Sequence, residues 1–420
     1  MQQPFSNRVD WSAGQPIGDL MARALHNPQL ISLAAGFVDQ QSLPVAATQA
    51  AFQALGADKL GMRAALQYGT TRGDHHLRER LLHRFLSSDF PEGGVGVDID
   101  QIVVTAGSNQ LLHLLADTLL NPGDIVLCAA PSYLVFLGIV ATCGARSVGV
   151  ATDDHGLVPE ALDTQLSHLH ARGELSRVKA VYVVPYFDNP CGVTLSVERR
   201  AEIVEIVQRW SHGHRIHVIE DAAYRELRFA GPDVPSLRTF DPEGKTVIVT
   251  DTFSKQFSPG IRVGWGLLPA DLVQPVCQLK DNLDFGSPNL NQQLMCKVME
   301  LNLLPSHVND LRRGYMAKRD AMLDACQSCL ASIPGMSWIR PQGGLYVWAT
   351  LPEEMDTGPS GSLFDAAIEE GVFYVPGEYF YPKEGALVRK NTMRLSFGVQ
   401  TPVRIAEGIA ALSRAIQRVS

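Results

Sequence analysis

The stretch DTFSKQFSPGIRVG, residues 251–264, decides how this chain is read. A β-type run, TVIVTD at 246–251, leads into it and breaks into small and polar residues. Lys255 stands just beyond that strand, Pro259-Gly260 marks a turn, and Arg262 is delivered into a second apolar run, VGWGLL. A lysine at the end of a buried strand is poorly placed for salt bridges and well placed to be desolvated. Desolvation lowers its pKa and makes the amine nucleophilic, and such lysines form Schiff bases with carbonyl compounds. A single lysine in a loop is by itself an ordinary surface residue. Its meaning rests on what surrounds it.

Outward from that strand, β-type runs recur at 102–105, 124–130, 147–151, 180–185, 216–220 and 263–268. Helical periodicity fills several intervals, notably 110–120 and 196–210. This alternation predicts an α/β fold whose large domain holds a mostly parallel seven-stranded sheet between helices. A ligand is then expected at the strands' carboxyl ends, where Ser108, Tyr133, Asn189, Asp221 and Lys255 gather. The turn Ala106-Gly107-Ser108-Asn109 between a strand and a helix also makes an anion site, because a helix's first amides lack internal partners and its dipole favours negative charge. Ordinary helix capping explains the same residues.

From about residue 283 the regular alternation stops. Long helices run to 330, followed by the strand-like runs PQGGLYVWATL, FYVPGEYF and NTMRLSF and an amphipathic helix over 403–416. This reads as a smaller α+β domain. Before the sheet, a helical pattern at 17–25 leads into the apolar run ISLAAG, which ends at Gly36; helices are expected over 45–60 and from about 75. The predicted division is an N-terminal segment, 1–45, packing with the small domain; a large domain, 46–285; and a linking helix with the small domain, 286–420.

Composition narrows the function. The 420 residues are 45% hydrophobic and 19% charged, as in an ordinary globular protein. A net charge of −8 argues against nucleic acid as the main partner. No apolar run reaches membrane-spanning length, and MQQPFSNRVDWS lacks an apolar signal segment, so a soluble, cytoplasmic protein with no membrane partner is expected. Seven scattered cysteines do not suggest a disulfide framework. Cys326 and Cys329 form one CxxC inside a helical pattern, and the histidines of 212–217 join a helix to a strand; neither has the four-ligand spacing of a zinc site, and no metal is expected.

The words SLAAG, LQYGTTRG, TAGSNQ, APSY, FDNPCG, EDAAYREL, DTFSKQFSPGIRVGW, PQGGLYVW and MRLSFG run from about residue 31 to 398. Together they resemble the fold-type I, pyridoxal-phosphate-dependent aminotransferases of class I/II. Within these the resemblance is to the group of 2-aminoadipate and kynurenine aminotransferases and the aminotransferase-like half of MocR-type regulators. It implies pyridoxal phosphate as cofactor, an amino acid and a 2-oxo acid as substrates, and a homodimer in which Tyr68 reaches the cofactor phosphate of the other subunit.

The chemistry of that cofactor asks for parts, and the sequence has a candidate for each. Lys255 is the amine. Asp221, in a strand that ends in two acids of which one should point inward, would keep the ring nitrogen protonated. Asn189 and Tyr224 would donate to the phenolic oxygen, and Tyr133 would stack on the ring. Gly107, Ser108, Asn109, Thr252 and Arg262 would hold the phosphate, Arg262 bidentately. Arg394, with Asn189 and Gly36, would receive the substrate and its α-carboxylate. Three departures from the family pattern stand out. Asn109 replaces a common glutamine, Cys191 replaces the usual threonine, and Gly18 stands where aminoadipate-type members carry an arginine for a distal carboxylate.

These features predict ping-pong transfer of an amino group, from a neutral apolar or aromatic amino acid if Gly18 is read correctly, with Ile17 and Leu20 lining its path. Arg23 is a substitute cation if helix placement differs by a few residues. β-Elimination, decarboxylation and racemisation use the same site and stay open at this point. A MocR-like sensing module would need a winged-helix domain before SLAAG, for which the sequence leaves no room. A Mg²⁺-dependent phosphotransferase built on Asp221 and the Ser108 turn leaves Lys255, Asn189 and Arg394 unexplained.

Overall fold

The β-type runs form one sheet. In this computed structural model, which describes residues 4–12, 30–93 and 96–419, its seven long strands are β1 (Ile102–Thr105), β2 (Ile125–Ala130), β3 (Arg146–Asp153), β4 (Val178–Val183), β5 (His217–Asp221), β6 (Val247–Thr252) and β7 (Gly264–Leu267). Their order across the sheet is 3-2-4-5-6-7-1. Strands β3, β2, β4, β5 and β6 lie parallel, and β7 runs antiparallel to both β6 and β1. Two short strands add to β3: Glu384–Gly385, parallel on its outer edge, and Gly156–Leu157, antiparallel. At two residues each they are too short for periodicity to reveal.

Both faces of the sheet are covered, which is why its strands read as continuous apolar runs rather than alternating ones. Leu127, Val181, Val218 and Val249 pack on one face with Leu81, Ile203 and Val207. Val126, Ala180, Tyr182, Ile219 and Ile248 pack on the other with Leu111, Leu115, Phe136 and Val140. Each such aliphatic side chain contributes about 1.5–3 kcal/mol on burial. The carboxyl edge of the sheet is therefore a firm platform for the loops that follow each strand.

A second, antiparallel sheet joins Ser337–Trp338, Tyr346–Thr350, Thr392–Ser396 and Val375–Pro376. The helices Leu303–Cys329, Ser362–Glu369 and Pro402–Val419 contribute to its core, as do Ile31 and Leu33 from the start of the chain. Ile31–Ser32 pairs in parallel with Val372–Phe373. The apolar run that begins at Ile31 thus packs with this second layer.

Local departures have local causes. The helix expected over 45–60 is two helices, Val45–Ala57 and Lys59–Ala65. Asp58 leaves the helical conformation between them and caps the second, its Oδ1 accepting the Leu60 N–H at 3.0 Å. FYVPGEYF forms only short strand pieces before turning at Gly377–Phe380, since Pro376 has no N–H to extend the ladder. Cys326 and Cys329 fall on the helix Leu303–Cys329, and all seven cysteines are free. The helix expected at 17–25, with Ile17, Gly18, Leu20 and Arg23, lies outside the described residues.

Candidate active site

β6 ends at Thr252, whose side-chain oxygen accepts the Ser254 N–H at 3.2 Å and starts the one-turn helix Phe253–Gln256. That turn aims Lys255 into a cavity of about 210 Å³. Gln256 ties the turn down from behind, donating to the Thr252 carbonyl at 3.0 Å and accepting from Arg84 at 2.7 Å. The lysine Nζ donates to the Gly36 carbonyl at 2.7 Å. Burial lowers its pKa, and the Arg394 and Arg262 charges push the same way against an opposing effect of Tyr346. A half-buried, desolvated amine with no carboxylate partner among the described residues is a nucleophile in waiting.

The cavity is lined by Ser108, Asn109, Tyr133, Asn189, Asp221, Tyr224, Thr252, Lys255 and Arg262, all singled out from the sequence, together with Val184, Ala223, Ser254 and Pro259. They come from the carboxyl ends of β1, β2, β4, β5 and β6, as expected for a parallel sheet. Two larger grooves, of about 820 and 960 Å³, are lined by other residues. The first is lined by Arg84, Glu226 and Arg312, the second by Trp338, Trp348 and Arg389. Neither contains Lys255, so chemistry rather than size locates the site.

The two acids ending β5 point to opposite faces. Glu220 turns away, accepting the Ser236 hydroxyl at 2.6 Å. Asp221 faces the cavity. Its Oδ2 accepts the Tyr182 hydroxyl at 2.9 Å and its Oδ1 the Ala223 N–H at 3.2 Å. Burial nevertheless raises its pKa to about 6, the two hydrogen bonds pulling it back only in part. A carboxylate so desolvated has its charge uncompensated, and a cationic N–H in the cavity would supply the counter-charge.

At the other end, Gly107 precedes the helix Ser108–Leu119 with φ 84°, the left-handed region that favours glycine. A Cβ there would collide with the Arg262 guanidinium. Arg262 crosses over this turn, donating to the Ala106 carbonyl at 3.0 Å, the Ser254 hydroxyl at 3.3 Å and the Pro259 carbonyl at 3.1 Å. The helix amides, two hydroxyls and one guanidinium thus meet in a cradle for a phosphate.

Arg394 closes the third side. Buried on the second sheet, it donates to the Asn189 Oδ1 at 2.8 Å and the Ala34 carbonyl at 2.7 Å, and its guanidinium lies 4.3 Å over the Tyr346 ring and 5.0 Å over Phe380. Its buried Nε has no partner among the described residues. Two of its five N–H groups are used, which leaves donors for a carboxylate. The donor set suits pyridoxal phosphate and an amino acid: an amine, an anion that would pair with a ring nitrogen, hydroxyl and amide donors, an anion cradle and a free guanidinium edge.

Tyr68 is not in this cavity. It is 83% exposed, its ring 6.3 Å from Phe285. Gly36 enters through its carbonyl and through lack of a side chain, for a Cβ would stand 2.8 Å from the Tyr346 hydroxyl. Sequence reading missed Tyr182 and Tyr346. Tyr182 lies within a recognisable strand, and Tyr346 stands inside the word PQGGLYVW.

Comparison with known proteins agrees with the geometry. Residues 28–412 match the family model for aminotransferase class I and II. The chain is 33% identical to aromatic-amino-acid aminotransferase 1 of Thermococcus litoralis, over 98% of this chain and 94% of that one. Pyrococcus horikoshii kynurenine aminotransferase, solved with PMP, superposes with a TM-score of 0.89 at 32% identity, covering 99% of this chain and 97% of that one. LysN, the α-aminoadipate aminotransferase of Thermus thermophilus, solved with N-(5'-phosphopyridoxyl)-L-leucine, gives 0.84 at 29%, with coverages of 99% and 97%.

Proposed function

The chain belongs to the class I and II aminotransferases, a pyridoxal-phosphate-dependent enzyme of that family, and from this premise we propose how its residues divide the work. When bound, the cofactor supplies an aldehyde for an amine and a ring that accepts the electrons left when Cα loses its proton. Lys255 holds the cofactor, gives way to the amino acid, and then carries the proton from Cα as general base and returns it as general acid. Desolvation lowers its proton affinity, which suits the first of these tasks. Asp221 keeps the ring nitrogen protonated. Tyr133 packs on the ring, and Asn189 and Tyr224 donate to the phenolic oxygen. Gly107, Ser108, Asn109, Thr252 and Arg262 hold the phosphate. Arg394, oriented by Asn189 and the Ala34 carbonyl, grips the α-carboxylate beside Gly36, fixing the donor so that its Cα proton faces Lys255.

The observation that carries this reading is Lys255: a half-buried, desolvated amine without a carboxylate partner among the described residues, in a cavity whose other walls are Asp221, Tyr224 and Arg262. We propose that the donor is a neutral apolar or aromatic L-amino acid and the acceptor a 2-oxo acid. Gly18, which stands where aminoadipate-type members carry an arginine, and the name of the Thermococcus relative support that preference. We further propose a cytoplasmic homodimer with the division at residues 45 and 285 expected above, Tyr68 reaching the partner's phosphate. The exposure of Tyr68, Leu66, Leu283 and Phe285 supports a covering subunit. No helix among the described residues is long and apolar enough to cross a membrane.

The test is a screen of amino donors for loss of the bound cofactor's visible band. A donor that bleaches it without releasing ammonia, with recovery on adding a 2-oxo acid, is the expected result. Ammonia or carbon dioxide release would refute transfer in favour of a lyase or decarboxylase.

A further inference from the structure

Tyr346 is 1% exposed and its hydroxyl stands 3.1 Å from that of Tyr224. It closes a ring of contacts around the site. Arg394 donates to Asn189 Oδ1 at 2.8 Å, Asn189 Nδ2 donates to the Tyr224 hydroxyl at 3.3 Å, Tyr224 meets Tyr346, and the Tyr346 ring lies under the Arg394 guanidinium at 4.3 Å. The direction of each bond follows from what its members can give. A guanidinium only donates, so the Asn189 oxygen must face Arg394 and its NH₂ must face Tyr224.

A phenol has one hydrogen and two lone pairs. Asn189 fills one lone pair of Tyr224. If Tyr224 donated to Tyr346, its hydrogen would be spent there, and the Tyr346 hydrogen would be left in a buried place where, among the described residues, no other hydrogen-bond partner is recorded for it. An unmade buried hydrogen bond is costly. With Tyr346 donating, both Tyr224 lone pairs are filled. The Tyr224 hydrogen then points into the cavity.

We infer that Tyr346 is a positioning residue which, by donating to Tyr224, makes Tyr224 a donor to the cofactor's phenolic oxygen, while its ring separately supports Arg394. This rests on the assignment of Tyr224 proposed above. The carboxylate grip and the phenolic-oxygen donors are thereby one hydrogen-bonded unit. The charged and titratable groups facing the Tyr224 hydroxyl are Tyr133, Tyr346 and Arg394; those facing Lys255 are Tyr346, Arg394 and Arg262.

The experiment compares cofactor-loaded wild type, Tyr346→Phe, Tyr224→Phe and the double variant, following the pH midpoint of the bound cofactor's visible band. A donor stabilises the anionic oxygen, so its loss raises the midpoint. Tyr224→Phe is expected to raise it by about one unit, the tenfold that a charge-assisted hydrogen bond is worth. Tyr346→Phe should move it the same way by less, and the double variant should match Tyr224→Phe alone, because Tyr346 acts only through Tyr224. A wild-type midpoint in Tyr346→Phe beside a shifted Tyr224→Phe overturns the inference and leaves the site assignment standing. An additive double variant also overturns it. An unshifted Tyr224→Phe overturns both. Steady-state kinetics gives a second readout: Tyr346→Phe keeps the ring under Arg394, so kcat should fall with the donor KM within about twofold. Tyr346→Leu should raise KM, and a raised KM with unchanged kcat in Tyr346→Phe contradicts the hydroxyl's role.

Discussion

Asp221 offers a test in which stability and function pull in opposite directions. In the cofactor-free chain its carboxyl is buried and its pKa stands at about 6, against an ordinary value of 3.8. A raised carboxyl pKa means that the folded chain binds this proton more tightly than the unfolded one. The stabilisation is complete below the unfolded pKa and is lost as pH rises through the folded one. The full linkage is about 3 kcal/mol, from roughly 1.36 kcal/mol per unit. Between about pH 8 and about pH 5 wild type should recover about 1.4 kcal/mol of it at this residue. Asp221→Asn keeps the shape and an oxygen for Tyr182 or Ala223 but has no charge to desolvate. Urea unfolding of both cofactor-free proteins at the two pH values should therefore show wild type gaining, relative to the variant, about that amount on acidification. Other raised carboxyls, Glu220 and Asp251 among them, are common to both proteins and cancel in the difference. With cofactor the order reverses. Asp221→Asn should lose the ring-nitrogen charge pair, about 2–5 kcal/mol, or roughly thirtyfold to several thousandfold in kcat. Parallel pH profiles in the cofactor-free pair would refute the desolvated, cavity-facing anion on which this reasoning depends.

Lys255→Ala should keep its fold and lose the lysine-linked visible absorption, and borohydride reduction of wild type should place the adduct on Lys255; an adduct on another lysine rules the assignment out. Mixed Lys255→Ala and Tyr68→Phe chains should form heterodimers with one unimpaired site and recover activity above either parent, whereas a monomeric native mass excludes a shared site. If Gly18 is read correctly, kcat/KM for phenylalanine, leucine or methionine should exceed that for 2-aminoadipate by roughly ten- to a hundredfold, the worth of one missing charge-assisted partner; a tenfold advantage for 2-aminoadipate would show the opposite.

What the sequence made legible follows from which interactions are local. Strands buried on both faces must be apolar along their length, so β1 to β7 stand out as runs, and turns that need Gly107 or Pro259-Gly260 stand out as punctuation. The two-residue strands at Gly156–Leu157 and Glu384–Gly385 leave no such trace, because their pairing to β3 is set by the path of the chain. The break at Asp58 was visible in kind, as a capping residue, yet a continuous apolar pattern across 45–60 masks it.

At the site the same division separates what was found from what was missed. Lys255, Asp221, Asn189 and Arg394 stand out because each is a costly residue type in an apolar setting. Tyr346 does not stand out. A tyrosine in a strand is ordinary β chemistry, and nothing within PQGGLYVW says that its hydroxyl will meet one carried by EDAAY, 122 residues earlier. The pairing arises because the Tyr346–Thr350 strand is laid beside Thr392–Ser396, setting Tyr346 opposite Ser396 and Arg394 opposite Trp348. That register leaves the Arg394 guanidinium over the Tyr346 ring, and Gly36 leaves room for the tyrosine hydroxyl where any larger residue would displace it. Gly36→Ala should consequently act on the same hydrogen-bonded unit as Tyr346→Phe, moving the bound cofactor's pH midpoint in the same direction though it adds only one methyl group. An unchanged midpoint in Gly36→Ala would mean that the Tyr346 hydroxyl can move aside without releasing Tyr224, and the closed ring would then be no constraint on the site.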